Sequence, residues 1–224
     1  MAERMLSAVI SLIMMVFMIQ ILMQVLEQMQ QAFAAITPAP EEVPAEHYDD
    51  FSGTELDTTK WEWILGSGTA SYTVSGGMLN LSASGGGSYG DVFSLSLFSP
   101  TKTIRGRMKF NSGDGDVVLA IRLDPDNEVS IYLREGTSVQ TGAKIGGTWQ
   151  TEQTLGSISP GQFYILELEY QSEKVTARAK KDDGTLIGEY TWSVSFAQIK
   201  IRIGATVPLG KTSVSGSVDW IDVV

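Results

Sequence analysis

The stretch Ile104-Arg105-Gly106-Arg107-Met108-Lys109-Phe110 sets Ile104, Gly106, Met108 and Phe110 against Arg105, Arg107 and Lys109 in strict alternation. Successive side chains of a strand point to opposite faces, so the pattern predicts a strand with one face in a core and one in water. The same period of two recurs outward from it. Val129, Ile131 and Leu133 alternate with Ser130, Tyr132 and Arg134, and Tyr164, Leu166, Leu168 and Tyr170 alternate with Phe163, Ile165, Glu167 and Glu169. Val175, Ala177 and Ala179 alternate with Lys174, Thr176, Arg178 and Lys180, and Ile199, Ile201 and Ile203 with Lys200 and Arg202. Turn signals lie between them: Ser75-Gly76-Gly77, Gly85-Gly86-Gly87, Ser112-Gly113-Asp114-Gly115-Asp116, Asp124-Pro125-Asp126-Asn127, Arg134-Glu135-Gly136 and Asp182-Asp183-Gly184. No stretch of this part carries a helical period, and no fixed repeat is visible. Roughly a dozen short half-buried strands predict a mainly β domain, an antiparallel sandwich with jelly-roll connections.

The amino end is built differently. From Met5 to Leu26 no charged residue occurs. As a helix at roughly 1.5 Å per residue this run covers about 33 Å, against a hydrocarbon core of about 30 Å. A helix also satisfies its own backbone, as lipid demands. The expected organisation is one long hydrophobic α-helix over residues 1–36, a Pro/Glu-rich linker over 37–47 and the β domain over 48–224. The apolar core is longer than that of a cleaved signal peptide, although Ala32, Ala34 and Ala35 offer small residues downstream. A membrane anchor is the leading reading, and a helix packed in the core of an assembly is the other. Arg4 precedes the run while Glu27, Glu41, Glu42 and Glu46 follow it, which favours an extracytoplasmic β domain. Gln20, Gln24, Gln28 and Gln31 fall on one stripe, and Ser7 and Ser11 form a small-xxx-small pair on another face. Both features suit association between helices, hence a homo-oligomer; from Gln24 onward the glutamines equally suit the wet end of a span. Pro38, Pro40 and Pro44 then interrupt any helix and make a semi-rigid spacer.

Composition removes several chemistries. The net charge of −10 is the wrong sign for a nucleic-acid footprint. There is no cysteine, which excludes disulfides, thiol catalysis and cysteine metal sites. The single histidine, His47, stands in the linker, so a histidine zinc site and a Ser-His-Asp triad are excluded as well.

Asp50-Phe51-Ser52-Gly53-Thr54-Glu55-Leu56-Asp57-Thr58-Thr59-Lys60-Trp61 resembles the opening of concanavalin A-like lectin/glucanase domains. Val74-Ser75-Gly76-Gly77-Met78-Leu79-Asn80-Leu81-Ser82 resembles their glycine-led second strand, and Ser217-Val218-Asp219-Trp220-Ile221-Asp222-Val223-Val224 their terminal strand. The resemblance covers residues 48–224, specific at both ends and generic in the middle. It implies two curved antiparallel sheets and a concave face that commonly receives glycan. The laminarinase and lichenase branch carries Glu-x-Asp-x-x-Glu, or a close variant, on one strand, which aims the carboxylates at one face. No such motif occurs here. The nearest candidate, Glu167-Leu168-Glu169, lacks the aspartate and the third carboxylate and reads as a solvated strand edge, while Asp114 and Asp116 read as loop residues. The expectation is no catalysis. In calcium-binding members an aspartate of the last strand joins carbonyls near the second; Asp219 and Gly77 match those positions, so a structural calcium ion is a candidate cofactor. Asp124, Asp126, Asn127 and Glu128 form a second oxygen cluster that is first of all a turn.

For a ligand, Arg105, Arg107, Arg122, Tyr132 and Arg134 would point the same way if their strands are neighbours, with Trp149 on a nearby loop. An aromatic platform with planar donors suits sugar; a solvated sheet face with cations against edge pairing is the bland alternative. Trp61, Trp63, Trp192 and Trp220 belong to the core or its rim. Two functions are expected. One is a non-enzymatic surface protein displaying a lectin-like sandwich for glycan or glycoprotein binding and adhesion. The other is a structural subunit of a surface filament or virion, its helices bundled in the core. The plan of apolar helix and β head is loosely similar to type IV pilins, but only Glu3-Arg4-Met5, and no Lys/Arg-Gly processing site, precedes the apolar run. Deleting residues 1–36 is expected to leave a soluble monomer where the full chain pellets with membranes or polymers. Unchanged sedimentation and oligomer size after the deletion would contradict the tether.

Overall fold

The computed structural model describes residues 47–99, 101–171 and 173–224. The helix expected over 1–36, with Ser7, Ser11, Gln20 and Gln24, and the linker up to residue 46 lie outside the described residues. Strands form where the alternation predicts them. They are β1 (Trp61–Val74), β2 (Leu79–Ser94), β3 (Thr103–Gly113), β4 (Asp116–Asp124), β5 (Asn127–Arg134), β6 (Ser138–Ile145) and β7 (Thr148–Trp149). β8 (Gln153–Ser157), β9 (Phe163–Gln171), β10 (Lys174–Lys181), β11 (Leu186–Ser193), β12 (Lys200–Thr206) and β13 (Ser213–Val223) follow. They pair antiparallel in the order β11-β10-β9-β3-β13-β2-β12-β4-β5-β6-β7, with β1 on β2 and β8 on β6.

One strand makes this long sheet a sandwich. The first part of β2 pairs with β13, from Leu79 opposite Val218 to Ser84 opposite Ser213. Its second part pairs with β12, from Tyr89 opposite Thr206 to Phe93 opposite Arg202. Between these parts lie Gly85, Gly86 and Gly87. Gly85 and Gly87 adopt φ of 85° and 83°, a conformation that costs a side chain heavily and glycine little. What reads as a loop signal is therefore a bend inside a strand. It divides the sheet into a first leaf, β11-β10-β9-β3-β13, and a second leaf, β12-β4-β5-β6 with β7 and β8.

The inward faces of the two leaves share one core. Leu166, Leu168, Val175 and Ala177 of the first leaf and Ile121, Ile131, Leu133, Ile201 and Ile203 of the second are all 0% exposed. Each buried leucine or isoleucine contributes roughly 1.5–3 kcal/mol, which makes this contact the main stabilisation of the fold. At the open margin β8 meets β11 through glycine. A Cβ on Gly188 would lie 2.2 Å from the Leu155 carbonyl oxygen, and one on Gly156 would lie 2.5 Å from the Ile187 side chain. The close approach covers sheet edges that would otherwise invite pairing with another chain.

The two chain segments that carry the family resemblance touch each other. Asp49 bridges to Ile221 of β13, and its carboxylate accepts hydrogen bonds from Trp61 Nε1 at 2.6 Å and from the Phe51 amide at 2.8 Å. His47 stacks on Trp220 at 4.8 Å and bonds Asp222 at 2.5 Å. The start of the domain is thus clamped to its last strand.

Glu167 requires a correction. It is not on a solvated edge, because β9 lies between β3 and β10. It is only 3% exposed and accepts from Arg105 Nε at 2.9 Å, Arg178 Nη1 at 3.0 Å and Lys180 Nζ at 3.2 Å. Burial pushes its carboxyl up, but the hydrogen bonds from Arg178 and Lys180 outweigh it and hold the group below the ordinary glutamate range. A depressed folded-state pKa contributes stability above the unfolded value of about 4.3, lost as pH falls through the folded value. Glu167→Gln is expected to cost about 1.5–3 kcal/mol at pH 7 in urea titrations, because it removes the one buried charge that Arg105, Arg178 and Lys180 share. The difference from wild type should shrink below about pH 4. A cost that does not change with pH would contradict the ion-pair account.

Candidate functional site

The outer face of the second leaf is a lattice whose register follows from strand pairing. Ala120 of β4 lies opposite Ser130 of β5, which lies opposite Gly142 of β6. One row along, Val118, Tyr132 and Gln140 stand side by side; at one end come Asp116, Arg134 and Ser138, at the other Arg122, Glu128 and Lys144. Beyond β4, Arg202, Gly204 and Thr206 of β12 lie beside Ala120, Val118 and Asp116. Then Phe93, Asp91 and Tyr89 of β2 follow. The middle of the face is therefore floored by small residues, and its flanks carry aromatic rings. Two depressions result. One of about 310 Å³ is lined by Tyr132, Trp149, Asp116, Glu152 and Arg134, among others. The other, of about 400 Å³, is lined by Tyr89, Phe93, Asp91 and Arg122, among others. Arg202 lines the first and salt-bridges Asp91 of the second, so the two meet at its guanidinium.

Two arginines organise the charge. Arg134 at the end of β5 reaches Asp116 through Nε at 3.0 Å and Nη2 at 3.2 Å. It reaches Glu152, in the segment between β7 and β8, through Nη1 at 2.5 Å and Nη2 at 3.1 Å. Because Asp116 Oδ2 and Glu152 Oε1 share Nη2, those oxygens lie no more than about 6 Å apart. Arg202 stands between Asp91 at 2.9 Å and Glu128 at 2.7 Å. Asp91 lies over Gly204, where a Cβ would come within 2.0 Å of its Oδ1.

The two carboxylates on Arg134 are driven apart in acidity. Burial pushes Asp116 above the ordinary aspartate range, with Arg134 only partly opposing it. Glu152 also feels burial, yet its hydrogen bonds with Arg134 and Tyr132 hold it below the ordinary range. Burial raises Asp91 too, against the pull of Arg202. Tyr132 is pushed up, first by burial and then by Glu152, so it stays a neutral hydroxyl. Thr206 Oγ1 is buried with no hydrogen-bond partner among the described residues, while Tyr132, only 5% exposed, turns its hydroxyl to Glu152. A buried hydroxyl without a partner is costly unless something arrives to pair it. Trp149 borders the same depression at 57% exposure and presents a bare aromatic surface.

Of the residues singled out from the sequence, Arg122, Tyr132, Arg134 and Trp149 share this face. Arg105 and Arg107 do not, because β3 lies between β13 and β9 in the first leaf. Arg105 binds Glu167; Arg107 lies 3.8 Å over the Phe163 ring and binds Asp182 at 2.6 and 2.7 Å and Asp219 at 2.6 Å. Asp219 thus accepts from Arg107 through Oδ2, and Gly77 sits in the β1–β2 turn at φ 69°. Asp124 closes its own turn onto the Asp126 amide at 2.8 Å and Asn127 Nδ2 at 3.1 Å. Asp116 is not a loop residue; it opens β4 and is 6% exposed. Sequence reasoning set Asp116 aside as a loop residue and overlooked Glu152, Asp91 and Arg202. Gly204→Ala is expected to push Asp91 off Arg202 and cost about 1–3 kcal/mol in urea titrations. An unchanged midpoint would mean that the packing over Gly204 is slack.

No protein-family profile and no curated protein matches this chain. Solved structures do. A β-1,3-1,4-glucanase (lichenase) from a mouse hindgut metagenome is 18% identical, with a TM-score of 0.60 over 77% of this chain and 95% of its own. A β-1,3-glucanase from Mycobacterium marinum is 13% identical, with a TM-score of 0.61 over 82% of this chain and 100% of its own. A structure from work on endo-acting O-glycanases of the human gut microbiota that initiate mucin breakdown is 13% identical, with a TM-score of 0.62 over 79% of this chain and 97% of its own. The fold of residues 48–224 is thus concanavalin A-like, of the glucanase type, and nothing in these matches supports the pilin resemblance. The expectation of a non-enzymatic module is corrected. It rested on a missing single-strand motif, whereas the lichenase and the β-1,3-glucanase that share this fold are by name glycan-cleaving enzymes.

Proposed function

We propose that this chain hydrolyses a glycan lying along the outer face of the second leaf, with Asp116 and Glu152 as the acting carboxylates. The observation that carries the reading is that pair: two carboxylates held on one guanidinium with oxygens no more than about 6 Å apart, one raised and one lowered in pKa, beside the exposed Trp149 ring. Glycoside hydrolysis needs a protonated carboxyl to give its proton to the leaving oxygen and an ionised one to act at the anomeric carbon. Asp116, raised by burial, fits the first role, and Glu152, lowered by its hydrogen bonds, the second. The bond from the anomeric carbon to the leaving oxygen breaks as the bond to Glu152 forms. Water then releases the sugar from Glu152 and gives its proton to Asp116. Arg134 positions both carboxylates, the Tyr132 hydroxyl holds Glu152, and Trp149 offers a stacking surface for a sugar ring. The substrate class suggested by the structural neighbours is a β-glucan. The hydrophobic segment over residues 1–36 would hold this jelly-roll domain on the outer side of a membrane.

The test is release of reducing ends from soluble mixed-linkage β-glucan and laminarin. Asp116→Asn and Glu152→Gln are each expected to lower kcat by at least about 100-fold with little change in KM, and Trp149→Ala to raise KM up to about tenfold. The wild-type rate should follow a bell in pH. Its acid limb lies below the ordinary glutamate value because Glu152 must be ionised, and its alkaline limb above the ordinary aspartate value because Asp116 must be protonated. Saturable binding of these polymers without bond cleavage would overturn the proposal.

A further inference from the structure

We infer that Tyr89 is a sugar platform remote from the scissile bond, and that it makes hydrolysis in this groove depend on the length of the glycan; the inference rests on the hydrolytic reading of the same site. Strand register places the residue. Tyr89 of β2 lies opposite Thr206 of β12, Thr206 opposite Asp116 of β4, and Asp116 opposite Arg134 of β5. They form one row across the leaf. Neighbouring strands stand about 4.8 Å apart, so Tyr89 is about 10 Å from Asp116 along that row, roughly two pyranose rings away. The carboxylate pair is off-centre on this face. Beyond Arg134 the sheet continues only through β6 to β7 and β8, where Trp149 stands, while the longer arm of the groove runs back over β12 and β2 towards Tyr89.

The platform is seated on backbone. A Cβ on Gly66 of β1 would lie 1.8 Å from Tyr89 Cε2 and 2.2 Å from Cζ, so the ring rests where a side chain is missing. It remains 38% exposed there, and Ile64 and Leu123, at 43% and 37%, border the same depression. An open aromatic ring among apolar neighbours suits the C–H face of a sugar. Between this platform and Asp116 stands Thr206, whose Oγ1 is buried without a hydrogen-bond partner. A sugar hydroxyl passing from Asp116 to Tyr89 would supply that partner. Contacts far from the reacting bond raise the rate when their binding energy holds the scissile sugar in its reactive geometry. A chain too short to reach from Asp116 to Tyr89 forgoes that help.

The experiment measures kcat/KM of the full chain on a disaccharide and a hexasaccharide cut from whichever of laminarin and mixed-linkage β-glucan it hydrolyses. The hexasaccharide should be cleaved at least about tenfold more efficiently. Tyr89→Ala should lower its kcat/KM about tenfold and narrow the ratio between the two substrates by the same factor, and Tyr89→Phe, which keeps the ring, should restore that ratio. Thr206→Val should raise the midpoint of urea unfolding while lowering kcat/KM on the hexasaccharide, a combination that a purely structural threonine would not give. Equal efficiency on the two substrates in the wild-type chain, or a ratio that Tyr89→Ala leaves in place, overturns the inference while leaving hydrolysis intact. If neither polymer nor its oligosaccharides are cleaved, the hydrolytic reading fails and takes this inference with it.

Discussion

A single shared strand holds this protein in its shape. β2 pairs with β13 along its first part and with β12 along its second, so both leaves hang on one continuous backbone. The glycines between the two parts supply positive φ where a side chain would strain the bend. Once β2 turns, the alternating faces of the other strands have no choice. Leu166 and Leu168 must meet Ile131 and Leu133, and Ser130, Tyr132 and Arg134 must look outward. The core is a consequence of that turn, and so is the groove.

The groove is made by what is missing from its floor. Ala120, Ser130, Gly142 and Gly204 stand shoulder to shoulder in the middle of the second leaf, while Tyr132 and Trp149 rise on one side and Phe93 and Tyr89 on the other. Gly204 shows the coupling of backbone to chemistry, since its missing Cβ is the space that Asp91 occupies beside Arg202. Charges this deep are stable only when paired, and pairing them fixes where the carboxylates stand.

Much of the fold was legible in the sequence because a period of two survives any tertiary context that keeps one face buried. The inward sets of β3, β5, β9, β10 and β12 were readable residue by residue. The site was less so. Asp116 hides at the end of Gly113-Asp114-Gly115, a stretch with every mark of a turn, and only the pairing of β4 with β12 and β5 shows it to be buried. Asp91, Glu128 and Arg202 come from distant parts of the chain and are joined by strand order, which periodicity does not encode. Arg105 and Arg107 look like companions of Arg122 and Arg134 by composition, but strand order sends them to the other leaf. A motif search on one strand cannot find a pair that Arg134 assembles from β4 and the segment after β7.

The account stands or falls on whether Glu152 becomes covalently bonded to sugar. Intact-protein and peptide mass spectrometry after incubation with an activated 2-deoxy-2-fluoro glucoside tests this directly. The predicted result is an added glycosyl mass confined to the peptide bearing Glu152, absent in Glu152→Gln. An unmodified Glu152 in protein that turns over β-glucan, or a label on another carboxylate, would contradict it.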